Sequence, residues 1–192
     1  MPDANPAALA FLGSRRSRPA KTLLAPAPGP DALDTILTLG ARVPDHGKLE
    51  PWRFLVLTDA ALTRVADQAT ARATELGFEA ERQTKIAAMF RSAPLIVTVV
   101  SAPKPSDKIP EFEQVLSAGA VCLSIVNAAL AAGWGANWLS GPLAMDGPFL
   151  DAAFGLAPGE TVAGFIVLGT ETSPPPERPR PDIAAITRWI SA

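Results

Sequence analysis

Residues 114–145 read QVLSAGAVCLSIVNAALAAGWGANWLSGPLAM, a stretch without a single Asp, Glu, Lys or Arg. Such a run is long enough to cross a bilayer as a helix. Three features argue instead for the interior of a soluble domain: Ser117, Ser124 and Asn127 interrupt it, Ala and Gly outnumber Leu and Ile, and its flanking charges are Glu113 and Asp146 in place of Lys or Arg. The reading is a long core helix starting near Glu111 and closed by the Gly-rich turn Gly133-Trp134-Gly135. A helix that is apolar on all sides needs cover all round, from its own sheet and helices or from a second copy of the chain.

Working outward, Leu95-Ile96-Val97-Thr98-Val99-Val100 is a continuous apolar run with the length and β-branching of a strand buried on both faces. Trp52 to Thr58 reads as a second strand, Trp134 to Leu139 as a short third, and Thr161 to Leu168 as a fourth that stops at Gly169. Helices are expected over Pro6 to Leu12, from Pro30 with Asp31 as its cap, over Ala60 to Ser92 in two pieces broken near Gly77 with Asp59 as cap, and over Pro148 to Phe154. The Pro-rich tail from Ser173 to Pro181 is expected to be extended. This order implies one domain over residues 1–192, an α+β or α/β arrangement of helices packed on a sheet of about four strands.

Composition narrows the function. A net charge of -2 gives no basic field for nucleic acid or anionic lipid. One cysteine, Cys122, makes no internal disulfide and fits a reducing compartment; Met1 to Asn5 shows no basic-then-apolar leader, so the cytoplasm is the expected location. One histidine and one cysteine leave a zinc site, a Cys-His nucleophile or a redox dithiol without partners. Neither a Walker loop nor a Gly-x-Gly-x-x-Gly follows any strand. A chain this poor in reactive side chains that performs demanding chemistry borrows it from a cofactor, and no residue of its own is assigned a catalytic role.

Three clusters then stand out. Arg15-Arg16-Ser17 offers two guanidinium forks and a hydroxyl to phosphate oxygens, although the same residues also suit a solvated helix end. Arg42-Val43-Pro44-Asp45-His46 places a cation and the lone imidazole on a loop stiffened by Pro44; His46 reads equally well as a surface side chain bonded to its own loop. Trp138-Leu139-Ser140-Gly141 presents an indole, backbone groups and a hydroxyl at a strand end, where a core tryptophan would look the same.

In this order and spacing the three clusters resemble the nitroreductase family, in particular its small YdjA-like NAD(P)H nitroreductases. The likeness extends to Pro51-Trp52-Arg53-Phe54, Ala93-Pro94-Leu95-Ile96-Val97, Ser117-Ala118-Gly119-Ala120 and Gly164-Phe165-Ile166-Val167-Leu168-Gly169-Thr170, with Pro44-Asp45-His46 followed by Pro51-Trp52 its most specific part. The resemblance implies a mixed central sheet flanked by helices, in a homodimer that packs long helices together with FMN at the subunit interface. It assigns Arg15, Arg16 and Ser17 to the FMN phosphate end, Arg42 and His46 to the same flavin from the other subunit, and Trp138, Leu139 and Ser140 to its lining. Basic residues near the C-terminus also reach the phosphate in larger members, for which Arg178 and Arg180 are the candidates. Two positions depart from the pattern: Glu50 stands where relatives often carry Gln, and Leu139 where a close relative has arginine.

The implied activity is ping-pong transfer of hydride from NAD(P)H through FMN to a small acceptor such as a nitroarene or quinone, with no metal, nucleic acid or membrane partner. Two other classes stay open: a flavin-binding or flavin-storage dimer without turnover, motivated by Glu50 and Leu139, and a cofactor-free structural dimer.

Overall fold

The computed structural model describes residues 3–191. Met1 and Pro2, part of the N-terminal stretch read above as lacking a leader, and Ala192 lie outside the described residues. At the centre stands β3 (Leu95–Ser101), buried at every position. It is flanked by β2 (Trp52–Leu57) and β5 (Thr161–Glu171), so that Val97 faces Val56 on one side and Ile166 on the other. The far edge of β5 carries β4 (Gly135–Leu139), with Trp138 opposite Ile166, and the two-residue β1 (Leu23–Leu24) pairs directly with the end of β5, with Leu23 opposite Glu171.

This sheet has five strands, not about four, and its ladders are all antiparallel where the resemblance implied a mixed sheet. Connectivity explains the difference. Between β2 and β3 the chain runs out along α3 (Asp59–Glu75) and back along α4 (Ala80–Arg91), which returns it to the end it left, so β3 must oppose β2. The single helix α5 (Glu111–Ala131) does give β3 and β4 the same direction, but β5 inserts between them. The two-residue β1 has too little sequence to show a strand period.

Strand alternation distributes side chains to two cores. Ile96, Val100, Phe165 and Val167 pack with Val65 and Phe90 of α3 and α4 and with Phe149 and Leu150 of α6 (Gly147–Phe154); the Phe90 and Phe165 rings meet edge to face at 5.2 Å. Val97, Val99, Ile166 and Leu168 pack on the opposite face with Ile36 of α2 (Pro30–Gly40) and Val121 and Ile125 of α5. At the α2–α5 crossing a Cβ on Gly40 would lie 2.4 Å from Cγ1 of Ile125, so only glycine permits that approach.

Helix caps depart from the reading in detail. Asn5 caps α1 (Pro6–Ser14), its Oδ1 accepting the Ala8 N–H at 3.1 Å. Gly29 and Thr58, not Asp31 and Asp59, occupy the cap positions of α2 and α3, leaving both carboxylates in the first turn, where the helix dipole still favours them. The break near Gly77 is present, with φ +69° there. β5 continues through Gly169 to Glu171 because β1 pairs with its last two residues.

The cover expected around the core helix is only half supplied by the chain itself. Gln114, Ser117, Val121, Cys122 and Ile125 of α5 are buried, whereas Phe112, Val115, Leu116 and Leu123 are 70, 45, 57 and 45% exposed. No residue of α1 is buried, and beyond the extended Pro-rich segment the single turn α7 (Ile183–Ile186) leads to Trp189 and Ile190, both open to solvent.

Candidate functional site

The last turn of α1 delivers Arg15, whose N–H bonds Phe11 O at 2.8 Å, and the chain then leaves the helix. Arg15, Arg16 and Ser17 line a cavity of about 480 Å³ whose opposite wall is Arg178, Pro179, Arg180 and Pro181, so sequence neighbours 160 positions apart meet there. Two hydrogen bonds hold the tail in place: Arg16 donates to Pro176 O at 3.3 Å and Arg180 to Gly13 O at 3.2 Å. Arg15 also donates to Ser17 Oγ at 3.2 Å.

Among the described residues no carboxylate lines this cavity, and the Nε atoms of Arg15 and Arg16 are buried without a partner. Glu177 pairs with Arg180 at 3.2 Å, but at the exposed rim. Burial, and then the nearby Arg180 and Arg16 charges, push the Arg15 guanidinium below its ordinary pKa. Concentrated like charge with unsatisfied donors is what a phosphate dianion would relieve, since it supplies charge and several acceptor oxygens at once.

The strand beside this pocket is tied to it directly. Arg18 N–H donates to Ala136 O at 2.9 Å, the Asn137 amide donates to Arg18 O, and the Arg18 guanidinium pairs with Glu171 at 3.3 Å. Arg18 therefore ties the end of the arginine segment to β4, which carries the third predicted cluster. Its three members have different fates. The Trp138 indole spends its N–H on Ala163 O at 3.1 Å and lies across Gly164, where a Cβ would stand 2.2 Å from Nε1. The Leu139 side chain alternates to the other face and packs on the α3–α4–α6 core. Ser140 is exposed at the strand end, with its hydroxyl free to face a ligand.

The Arg42 and His46 loop is at the opposite end of α2 and lines neither the arginine cavity nor the one beside Ser140. It is held by residues to which the sequence reading gave no role in the site. Ser117 of α5 donates to Pro44 O at 2.7 Å while accepting the Trp52 indole N–H at 3.2 Å. His46 Nδ1 lies 2.7 Å from Glu113 Oε2 at the start of α5. The Asp45 carboxylate accepts the N–H groups of Leu49 and Glu50 at 3.1 and 2.8 Å. Those bonds support a left-handed path, with φ of +70° at Gly47, +53° at Lys48 and +49° at Glu50. Two non-glycine residues in that region persist only where the surroundings over-determine them. The Glu50 side chain is exposed, and Arg42 is also at the surface.

Other reactive groups are quiet. Burial pushes the Cys122 thiol up to about 12, which removes it as a nucleophile near neutral pH. Among the described residues no group of three His, Cys, Asp or Glu side chains is placed to hold a metal ion.

Comparison with known proteins matches this geometry to a family. The family model described as Nitroreductase family matches residues 12–170, which includes Arg15 to Ser17 and stops before the tail that carries Arg178 and Arg180. The "Putative NAD(P)H nitroreductase YdjA" of Escherichia coli strain K12 is 38% identical over 164 residues, covering 85% of this chain and 87% of that protein. A Haemophilus influenzae protein, also named as an NAD(P)H nitroreductase with the same qualifier, is 34% identical over 164 residues, 85% and 88% of the two chains. A nitroreductase-like family protein from Bacillus cereus superimposes with a TM-score of 0.83 at 23% identity over the whole of both chains. A Desulfovibrio desulfuricans structure, described as a complex with FMN, does so with 0.74 at 22% identity over 98% and 99%. On this match, and on the residues that carry it, the chain belongs to the nitroreductase family.

Proposed function

We propose that this chain is an FMN-dependent oxidoreductase that takes electrons from NAD(P)H and delivers them to small acceptors such as nitroarenes or quinones. The observation that carries the reading is the arginine cavity: Arg15, Arg16, Arg178 and Arg180 with Ser17, two buried guanidinium Nε donors without partners, and no carboxylate in the lining. A phosphate monoester fits this donor set in charge and hydrogen-bonding capacity. Relatives named as NAD(P)H nitroreductases and a similar fold described with FMN support the same assignment.

FMN, when bound, supplies hydride acceptance and release in alternating half-reactions. The chain's residues do the rest. Arg15, Arg16, Ser17, Arg178 and Arg180 anchor the phosphate end. Ser140, exposed at the end of β4, and the backbone of Leu139 and Gly141 beside it are assigned to the lining of the flavin. Arg42 and His46 are assigned to the flavin of a second copy, where a cation favours the negative charge that accompanies reduction. With Nδ1 engaged by Glu113, His46 keeps Nε2 for that contact.

A homodimer follows from the uncovered apolar surfaces of α1, the outer stripe of α5 and the tail, each treated as part of one domain spanning residues 1–192. The cytoplasm suits a protein whose one cysteine is a buried thiol. Leu139 turns into the core and Glu50 into solvent, so neither departure from the family pattern argues strongly for the storage alternative.

The test is optical. Protein loaded with FMN is expected to be yellow, to bleach on anaerobic addition of NADPH or NADH, and to recover its colour with a quinone. A yellow protein that neither nucleotide bleaches is the storage dimer; one that stays colourless after incubation with FMN removes the cofactor reading.

A further inference from the structure

Between α4 and residues 140–144 lies a second cavity, of about 190 Å³, which no motif in the sequence announces. Its floor is apolar: Ile86 and Met89 of α4 with Phe90, Leu143 and Phe165, the last three only 1, 3 and 1% exposed. Its rim carries Arg82 and Lys85, and its mouth reaches Ser140 and Gly141. No Asp or Glu lines it.

The size restricts the occupant. A closed apolar cavity of roughly 150 Å³ accommodates benzene. The space here suits one substituted ring, is too small for a whole three-ring flavin or a dinucleotide, and adjoins the proposed flavin lining at Ser140 and Gly141. Charge restricts it further. Arg82 and Lys85 are three residues apart on one helix and face the same way. The Arg82 guanidinium rests 3.8 Å from the Phe78 ring centroid, a contact through the ring face that uses no N–H donor. Lys85 pairs with Glu81 at 2.6 Å, but the two side chains are 73 and 81% exposed, so the contact is screened and exchangeable. Against the one carboxylate of Glu81 the rim sets two cations. On the other side of Lys85 a neighbouring hollow adds Lys21.

We propose that this cavity is the acceptor subsite and that it selects a monocyclic aromatic carboxylate, the ring lying on Met89, Phe90 and Phe165 and the carboxylate meeting Arg82 and Lys85. A reducible substituent on the far side of the ring then points toward Ser140. The assignment as an acceptor site rests on the flavin reading above. For a nitro substituent the balance is one NAD(P)H and one proton consumed, with the nitroarene converted to the nitrosoarene and water; one N–O bond breaks and the nicotinamide is oxidised.

Two probes differ only in charge: 4-nitrobenzoate and 4-nitrobenzamide. With holoenzyme, kcat/KM for the acid is expected to exceed that for the amide by about tenfold, a preference that R82Q/K85Q abolishes. Benzoate, which is not reducible, provides a binding readout independent of turnover: saturation-transfer NMR should show it on the wild-type protein, weakened about tenfold in R82Q/K85Q and excluded by M89W. Both charged side chains are exposed, so their replacement leaves the core intact. Equal use of acid and amide by the wild type, or benzoate binding unchanged in R82Q/K85Q, overturns the proposal even if NADPH bleaches the flavin. If benzoate binds through Arg82 and Lys85 while no nucleotide bleaches the protein, the acceptor assignment falls together with the reductase reading.

Discussion

Arg15 illustrates how little a residue's type says before its surroundings are known. Adjacent arginines after a helix are commonplace, and Arg15-Arg16 by themselves suit a solvated end. What distinguishes them is that their Nε atoms are buried without partners and that Arg178 and Arg180 close the same cavity. Hydrogen bonds to charged groups are worth about 1.5–3 kcal/mol. Arg15→Ala or Arg180→Ala is therefore expected to weaken FMN binding by roughly ten- to hundredfold. Quenching of flavin fluorescence measures it, and riboflavin, which lacks the phosphate, should show a much smaller change. Equal losses for both flavins would place the arginines elsewhere. Asp45 makes the complementary case, because it touches no proposed ligand yet supports the left-handed residues at 48 and 50. Asp45→Ala removes two carboxylate acceptors and is expected to cost about 1–2 kcal/mol in a denaturant titration. Faster amide exchange confined to residues 46–50 would localise the effect to the loop that carries His46.

At the scale of elements, α6 shows one side chain serving two packing roles. Asp146 caps α6 through the Phe149 N–H at 2.9 Å and ties it to α3 through paired bonds with Arg72 at 2.8 and 3.0 Å. Those Arg72 bonds hold its carboxyl below the ordinary value of 3.8, and Arg53 does the same for Glu160 below 4.5. A carboxylate whose folded pKa is depressed stabilises the fold fully above its unfolded value and loses that contribution as pH falls through the folded one. Melting temperature is thus expected to fall as pH drops below about 4.5. Asp146→Asn should lower stability at neutral pH and flatten that acid dependence; an unchanged acid profile would mean the pair contributes little. The helix breaks, the buried β3 and the long α5 were all legible because apolar period and Gly or Pro punctuation are local signals. The two-residue β1 and the cap positions at Gly29 and Thr58 were not, since short pairing and cap choice depend on what the chain meets in space.

For the molecule as a whole, exposed apolar side chains gather on α1, on one stripe of α5 and on the segment from Ile183 to Ile190. A single exposed leucine needs no explanation, but a continuous stripe through Phe112, Leu116 and Leu123 does. Leu116→Asp with Leu123→Asp is expected to give a folded monomer by sedimentation, with FMN affinity lowered at least tenfold because Arg42 and His46 of the second copy are withdrawn. A monomer that still holds FMN tightly would assign the whole flavin site to one chain. The same scale accounts for what the three motifs concealed. Trp138 and Leu139 were read as lining a ligand; strand alternation lays the Trp138 indole over Gly164 with part of the ring still exposed, turns the Leu139 side chain into the opposite core, and leaves Ser140 exposed at the strand end.

By itself the sequence determined most of the helix and strand content, the buried character of β3, the apolar character of α5 and the family, because each rests on periodicity or on residue types at fixed spacing. Only the tertiary structure decided that the ladders are all antiparallel, that the tail brings Arg178 and Arg180 against Arg15 and Arg16, that Glu113 and Ser117 hold the His46 loop, and that a ring-sized cavity opens beside Ser140. The physical reason is one of range: period and punctuation act over a few residues, whereas the arginines at 15 and 16 and those at 178 and 180 meet only after β5 has taken its place beside β3 and β4.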